Sequence, residues 1–199
     1  MSFLYIHETK ELNDSLRQSV EGDFIALSDG YTHYELKGDI NAETVVLVHG
    51  FSVPNFIWEP TFRMLTEAGY RVLRYDLFGR GYSDRPKAVY NLDLFANQLR
   101  DLLDVLKITE PIILFGLSMG GPITATFTAR HPERVKKLAL FAPAGGEAIP
   151  QSRVYKMLLL PGVGEFLMGF LGKKTLIDGV AEDFYEPELI AHFQNLYSP

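Results

Sequence analysis

A glycine–serine–glycine turn between an apolar run and a helical pattern constrains this chain more than any other feature. Residues 113–124 read ILFGLSMGGPIT, and Gly116–Gly120 fits the pattern G-x-S-x-G. In that pattern the serine lies on a sharp strand-to-helix turn. Side chains two residues before and after the serine would collide in such a turn, so glycine is expected at both places. The pattern therefore predicts a strained backbone at Ser118, with its hydroxyl above the carboxyl end of a sheet.

A serine in this position is typical of a nucleophile, and a nucleophile of this kind needs backbone N–H groups beside it. The helix that follows Ser118 begins near Met119, whose N–H would face developing negative charge. A second donor is expected after the apolar run TVVLV, residues 44–48, where Gly50 lets the chain bend close to the serine. We predict that the N–H groups of Phe51 and Met119 form an oxyanion hole.

Short apolar runs alternate with helical patterns along residues 1–150, which is typical of an α/β protein with a mostly parallel sheet. The first two strands are expected to form an antiparallel pair, joined by the turn residues Ser28, Asp29 and Gly30. From Gln151 onward the pattern is helical and rich in Leu, Met and Phe, without strands. We therefore predict a core over residues 1–150 and a helical cap or lid over residues 151–199. The predicted strands are DFIAL, THYELKG, TVVLVHG, YRVLRYD, PIILF and VKKLALFAP.

Helices are predicted from apolar spacing and from end signals. Residues 58–68 have helical spacing and stop at Gly69. Asn91 is the expected cap of a longer helix. That helix carries one apolar stripe, made of Leu92, Phe95, Leu99, Leu102, Leu103 and Leu106.

Composition and charge exclude several classes of function. The chain of 199 residues has a formal net charge of -6, which disfavours a nucleic-acid partner. It has no cysteine, so disulfides, cysteine zinc sites and cysteine nucleophiles are excluded. No signal peptide is visible and the apolar stretch 157–172 is interrupted, so we expect a cytoplasmic protein without a transmembrane segment. No group of residues has metal-ligand spacing, and we expect neither a metal nor a cofactor.

Four segments together resemble the α/β-hydrolase fold family. They are VVLVHGF, YRVLRYDLFGRGYSDRP, ILFGLSMGG and HPERVKKLALFAPAG, and their order and spacing match over about residues 24–150. The resemblance implies that the serine attacks an acyl carbon, that an acid follows a later strand, and that a histidine follows the last strand. Ser118 in place of aspartate argues against the dehalogenases and epoxide hydrolases of this fold. The sequence His-Gly-Phe with a single glycine is similar to the lipase, esterase and carbon–carbon hydrolase branches.

The acid and the histidine that the resemblance implies have only weak candidates in this chain. His131 lies at the end of the helix that follows Ser118 and is read as structural. His49 precedes the serine, and its place beside the oxyanion turn suits a structural hydrogen bond better than the role of base. His192 lies in a predicted cap helix. Glu147 follows a strand and is the corresponding candidate for the acid. His192 and Glu147 are therefore retained as minor candidates. We expect a longer natural chain or a second polypeptide to supply the base, unless the protein is not a hydrolase.

The last predicted strand raises the same question, because nothing later in the sequence is predicted to pair with it. We expect the edge at Val135–Phe141 to be covered by further chain or by another subunit. The polar loop with Asp76, Arg80, Asp84 and Arg85 is interpreted as a structural tie rather than as an active site.

The favoured function is a serine hydrolase that cleaves a carboxylic ester of an apolar or lipid-like acyl group through an acyl-enzyme. Two alternatives stay open. One is a carbon–carbon bond hydrolase of diketone substrates, and the other is a non-catalytic ligand-binding protein or receptor of the same fold.

Overall fold

A six-stranded sheet forms the centre of residues 12–145, the part of the chain that the computed structural model describes. Its spatial order is β1-β2-β4-β3-β5-β6. The pairs β1/β2 and β2/β4 are antiparallel, and the three pairs that join β4, β3, β5 and β6 are parallel. The predicted mostly parallel sheet with an antiparallel opening pair is confirmed. The strands are β1 (Asp23–Leu27), β2 (Gly30–Lys37), β3 (Thr44–Val48), β4 (Arg71–Tyr75), β5 (Ile112–Leu117) and β6 (Val135–Phe141).

The middle of the sheet is buried on both faces, and this explains the continuous apolar runs. Every residue of β3 is buried. Val46 pairs with Leu73 of β4 on one side and with Leu114 of β5 on the other. A strand that is covered on both faces has no polar face, so its sequence does not alternate between apolar and polar residues.

Helices cover the two faces in separate layers. The four α-helices of the described residues are α1 (Asp14–Ser19), α2 (Glu59–Glu67), α3 (Leu92–Val105) and α4 (Gly120–Arg130). The helices α3 and α4 pack on each other, and α4 packs on β5. The helix α2 lies on the other face, where Phe62 joins a cluster that includes Val45 and Leu47. A 3₁₀ turn, Asn55–Trp58, leads into α2, and a second one, Pro132–Arg134, precedes β6.

The start of α3 corrects one detail of the predicted stripe. Asn91 caps the helix as expected, since its side chain accepts a hydrogen bond from Leu94 N at 3.0 Å. Leu92, however, is exposed, and Leu94 is the first buried leucine. Helical side chains lean toward the helix N-terminus. The side chain of the first helical residue therefore lies beyond the end of the helix rather than over the sheet.

The outer side of β6 has no partner strand among the described residues. Leu140 and Phe141 are 44% and 42% exposed, whereas Leu138 is partly buried. Two exposed lysines, Lys136 and Lys137, also lie on this strand. Within residues 12–145, no helix is both long enough and apolar enough to cross a membrane.

Candidate active site

Ser118 lies on the turn between β5 and α4, as the G-x-S-x-G pattern predicts. Its φ is +51°, a left-handed conformation that residues other than glycine rarely adopt. Backbone hydrogen bonds hold the turn: Ser118 N donates to Phe141 O, and Ser118 O accepts from Gly121 N and Ala144 N, all at 2.9–3.0 Å. The end of β6 thus fixes the strained residue, a contact that the sequence pattern did not predict.

Glycine is required on both sides of the serine, but the reason differs from the predicted one. A Cβ on Gly116 would lie 2.3 Å from Thr124 Oγ1 and 2.6 Å from Gly120 O. A Cβ on Gly120 would lie 2.4 Å from Val48 O. The closest collisions are therefore with α4 and with the end of β3, rather than between two side chains of the turn.

Gly50 brings the loop after β3 against the serine. A Cβ on Gly50 would lie 3.1 Å from Ser118 Cβ and 3.6 Å from Ser118 Oγ. The carboxyl ends of β3 and β5 meet here because the two strands are parallel neighbours. The predicted closeness of Gly50 to Ser118 is confirmed.

His49 orients the peptide between Gly50 and Phe51. Its ring is fully buried, its Nδ1 lies 2.8 Å from Gly50 O, and its Nε2 lies 2.9 Å from Leu77 N. Leu77 N–H can only donate, so Nε2 accepts and Nδ1–H donates to Gly50 O. A trans peptide is planar, with its C=O and N–H pointing in opposite directions. Because the His49 ring holds Gly50 O, the N–H of Phe51 points away from the His49 ring.

Burial lowers the pKa of His49, which favours the neutral ring that both hydrogen bonds require. A structural hydrogen bond was the expected role of this histidine, and the geometry agrees. Among residues 12–145, no group accepts a hydrogen bond from the N–H of Phe51 or of Met119. Met119 immediately precedes the first residue of α4, at the positive end of the helix dipole.

Asp76 ties the loop after β4 to its surroundings, as expected. Its carboxylate is buried and accepts N–H groups from Asn55 and Tyr82 at 2.8 and 3.0 Å. It also lies 2.8 Å from Nδ1 of His33, whose Nε2 lies 2.8 Å from Glu21 O. The two closest neighbours of the imidazole are acceptors, which favours the doubly protonated ring, and the Asn55 amide nitrogen lies farther away, 3.2 Å from Nδ1.

The pKa values of this buried pair move in opposite directions. Burial lowers the pKa of His33, but the hydrogen bond and charge of Asp76 outweigh it and leave the pKa raised. Burial raises the pKa of Asp76, but the hydrogen bond and charge of His33 and the backbone hydrogen bond from Asn55 leave it lowered. Sequence reasoning missed the partner His33, which comes from a distant strand and carries no local signal.

Two further polar residues of the same loop have separate contacts. Asp84 accepts Tyr31 N at 2.8 Å and pairs with Arg17 at 2.7 Å, which confirms its structural role. Arg80 lies over the Phe51 ring, with its guanidinium carbon 4.8 Å from the ring centroid. Its Nε lies 3.4 Å from Phe51 O. The sequence did not predict this contact with the oxyanion loop.

No histidine of the described residues hydrogen bonds to Ser118. His33 and His49 are engaged as described, and His131 ends α4 with its ring on Phe127. The candidates Glu147 and His192 lie outside the described residues, as does the predicted 151–199 cap, and these stay predictions. Among residues 12–145, no group of His, Asp or Glu could hold a metal ion.

Two curated proteins show what this chain is similar to. It is 39% identical over 102 residues to a putative non-heme chloroperoxidase of a Synechocystis species, which is 51% of this chain. It is 42% identical over 111 residues, 52% of this chain, to the 2-hydroxy-6-oxononadienedioate/2-hydroxy-6-oxononatrienedioate hydrolase of Escherichia coli. The chain spans 37% of the length of each of these relatives.

A solved structure and a family profile extend the likeness to most of the chain. The esterase EaEST from Exiguobacterium antarcticum superposes with a TM-score of 0.73 and 26% identity, over 88% of this chain and 67% of that one. The profile that describes the alpha/beta hydrolase fold matches residues 43–190. The chain belongs to the α/β-hydrolase fold family.

Proposed function

We propose that this chain provides the nucleophile and the oxyanion hole of a serine hydrolase that cleaves carboxylic esters. The observation that carries the proposal is the left-handed Ser118, φ +51°, at the carboxyl end of a central parallel strand and against Gly50. Strained conformations persist only where surrounding structure over-determines them, and they cluster at active sites. A serine that only closed a turn would need neither the strain nor the glycine beside it.

In the proposed reaction Ser118 Oγ gives its proton to a general base and attacks the ester carbonyl. The bond to the alcohol oxygen breaks and the alcohol leaves with that proton, and water then hydrolyses the acyl-enzyme to the free acid and Ser118. Negative charge develops on the carbonyl oxygen during the attack. The N–H groups of Met119 and Phe51 stabilise that charge, and His49 sets the orientation of the second donor through Gly50 O. Such donors act strongly because they need no reorganisation when the charge appears.

A serine hydroxyl is a weak nucleophile unless a general base takes its proton. We assign the base and its partner acid to positions outside residues 12–145. His192 and Glu147 are the candidates within this chain, and other polypeptide segments are the alternative source. The run Met157–Leu171, rich in Met, Leu and Phe, is proposed as the wall of an apolar acyl pocket.

A carbon–carbon bond hydrolase is the second candidate, favoured by the similarity to the Escherichia coli dioate hydrolase. It would use the same serine and the same oxyanion hole on a ketone instead of an ester. Comparing a p-nitrophenyl ester with a 1,5-diketone dienoate as substrates separates the two reactions.

A fluorophosphonate probe tests the proposal, because such a probe labels only a serine that a base has activated. We expect stoichiometric labelling of Ser118, located by mass spectrometry of peptides, and none in Ser118→Ala. Ser83→Ala is a suitable control, since Ser83 is buried and donates to Asp76 O at 2.6 Å. A folded chain that is not labelled contradicts a base within this chain, such as His192. If labelling also fails when the other polypeptide segments are present, the hydrolase is contradicted and the ligand-binding protein of the same fold is favoured.

A further inference from the structure

Arg80 is a partly buried cation that has no carboxylate partner among residues 12–145. Three other arginines with low exposure in this part of the chain are paired, whereas Arg71, which is also partly buried, has no carboxylate partner among the described residues. Arg17, Arg74 and Arg134 each have a carboxylate oxygen 2.6–2.8 Å away. Withdrawing a charge from water is costly unless an opposite charge or good hydrogen bonds compensate it. Arg80 therefore lacks the ion pair that Arg17, Arg74 and Arg134 have.

The contacts of Arg80 place it beside the candidate oxyanion hole. Its guanidinium lies over the rings of Phe51, at 4.8 Å, and Phe95, at 5.5 Å. Phe95 is buried in the core, whereas Phe51 is 52% exposed. Phe51 directly follows Gly50, which touches Ser118. The charge thus lies over the exposed ring of the residue that follows Gly50 in the loop beside the serine.

The hydrogen bonds of the guanidinium leave part of its donor set unused. Nε donates to Phe51 O at 3.4 Å and Nη1 donates to Phe78 O at 3.2 Å, both long bonds to neutral carbonyls. No described residue accepts a hydrogen bond from Nη2. A guanidinium stacked on a ring keeps its N–H edge available, and the paired Nη1 and Nη2 groups match a carboxylate in a bidentate geometry.

The pKa of Arg80 is lowered, because the effect of burial outweighs that of the neighbouring Tyr90, which raises it. Burial disfavours the charged form, so an anion placed against the guanidinium would relieve the cost of burial. A carboxylate has the planar shape and the single charge that one guanidinium can satisfy.

We infer that Arg80 binds a carboxylate carried by the substrate, so that the preferred ester is an anionic hemiester of a dicarboxylic acid rather than a neutral one. The inference rests on the proposed function for the reacting bond, and it adds the substrate class. In this arrangement Phe51 offers its N–H to the reacting carbonyl, while Arg80 above its ring holds the distant charged end.

Binding to the Ser118→Ala form of the whole chain tests this inference without requiring turnover. The two probes are mono-p-nitrophenyl succinate and p-nitrophenyl butyrate, which differ by a carboxylate in place of a methyl group. We expect equilibrium dialysis to show tighter binding of the succinate ester, weakening as salt is raised. Adding Arg80→Met should weaken succinate binding about 10- to 100-fold and leave butyrate binding unchanged. With Arg80→Lys, the affinity for the succinate ester should lie between the affinities measured with arginine and with methionine, because a lysine keeps the charge but loses the bidentate geometry.

Arg71→Met is the matched control, since Arg71 is also a partly buried arginine but begins β4, at the opposite end of the strands from Ser118. It should leave both affinities unchanged, and melting temperatures verify that each variant is folded. Equal affinity for the two esters, or no binding of either, overturns the inference. An equal loss for both esters in Arg80→Met also overturns it and makes Arg80 a positioning residue for Phe51. Fluorophosphonate labelling of Ser118 is read separately, so failure of the ester-hydrolase proposal is distinguishable from failure of this one.

Discussion

Ser118 and its neighbours show how one residue's conformation depends on atoms far away in sequence. The positive φ of Ser118 is held by hydrogen bonds to β6 and α4, and the space around it exists because three neighbouring positions are glycine. The local sequence selects residues that tolerate the turn, and distant backbone enforces it.

Replacing Ser118 with alanine removes the proposed nucleophile while keeping the turn. We expect any esterase kcat to fall by about 10⁴ or more, because nucleophile, base and acid act as a unit. The free energy of unfolding should change by less than about 0.5 kcal/mol, the usual range for a substitution that removes no packing. Steady-state kinetics and urea unfolding give the two numbers, and activity that survives would contradict the assignment of Ser118.

Replacing Gly120 with alanine should damage the fold itself. The new Cβ would meet backbone oxygens of Val48 and His49 at 2.4 and 2.7 Å, and backbone cannot move aside as a side chain can. We expect a loss of at least about 3 kcal/mol in unfolding free energy. Gly69→Ala is the control: it has open space and a φ of +89°, so it should cost only about 1–2 kcal/mol of strain. Similar losses in the two variants would mean that the turn is looser than the structure indicates.

The buried pair of His33 and Asp76 should make stability depend on pH. The pKa of His33 is raised above its ordinary 6.5, so the folded state binds the proton more tightly than the unfolded state. The stabilisation is therefore complete below pH 6.5 and is lost as the pH rises through the folded-state pKa. We expect His33→Gln to lose more unfolding free energy relative to the wild type at pH 6 than at pH 9. Urea unfolding at a series of pH values measures this, and a difference that grows with pH would contradict the charged pair.

At the scale of elements, the site is a product of parallel strands whose carboxyl ends meet. His49 follows β3, Asp76 follows β4 and Ser118 follows β5, and these three strands are neighbours in the sheet. Residues from loops far apart in sequence thus lie together at the carboxyl ends of the strands, because these strands are parallel. The helices behind them supply the rigidity, since α3 and α4 pack together against that sheet.

The contribution of a helix cap to the free energy of unfolding should depend on how many residues its helix buries. Asn91 and Asn13 make the same kind of capping bond, to Leu94 N at 3.0 Å and to Leu16 N at 2.9 Å. The helix α3 buries seven residues, whereas α1 buries none. We expect Asn91→Ala to cost about 1 kcal/mol of unfolding free energy. Asn13→Ala should leave global unfolding nearly unchanged, because α1 can fray without opening the core. Equal costs in chemical denaturation would show that α1 is part of the cooperative unit.

At the scale of the whole molecule, the outer edge of β6 exposes apolar residues and unpaired backbone groups among the described residues. Such an edge promotes association with another strand. We therefore expect the purified 199-residue chain to have an apparent mass above its 22.5 kDa in light scattering coupled to gel filtration. Leu140→Lys should lower that mass by placing a charge at the edge. The control Val89→Lys alters a 77% exposed loop residue and should have no effect. A monodisperse monomer would show that the edge is already covered.

Local patterns were sufficient for those parts of the fold that depend on neighbours in sequence. The continuous apolar run of β3, the Asn91 cap and the glycines of the Ser118 turn all reflect short-range requirements of burial, capping or backbone freedom. The place of His49 was also foreseeable, because it directly precedes the glycine that it helps to orient.

Contacts between distant segments were decided only by the tertiary structure. No local pattern indicates that Phe141 O holds Ser118 N, that His33 pairs with Asp76, or that Arg80 lies over Phe51. Even the exposure of Leu92 depends on where α3 begins relative to the sheet. Sequence determined which residues tolerate a strained turn, a buried strand or a helix end, since those are properties of a few adjacent residues. Which charges and donors meet around Ser118 depends on how the strands are ordered and paired, and that order is settled by packing of the whole core.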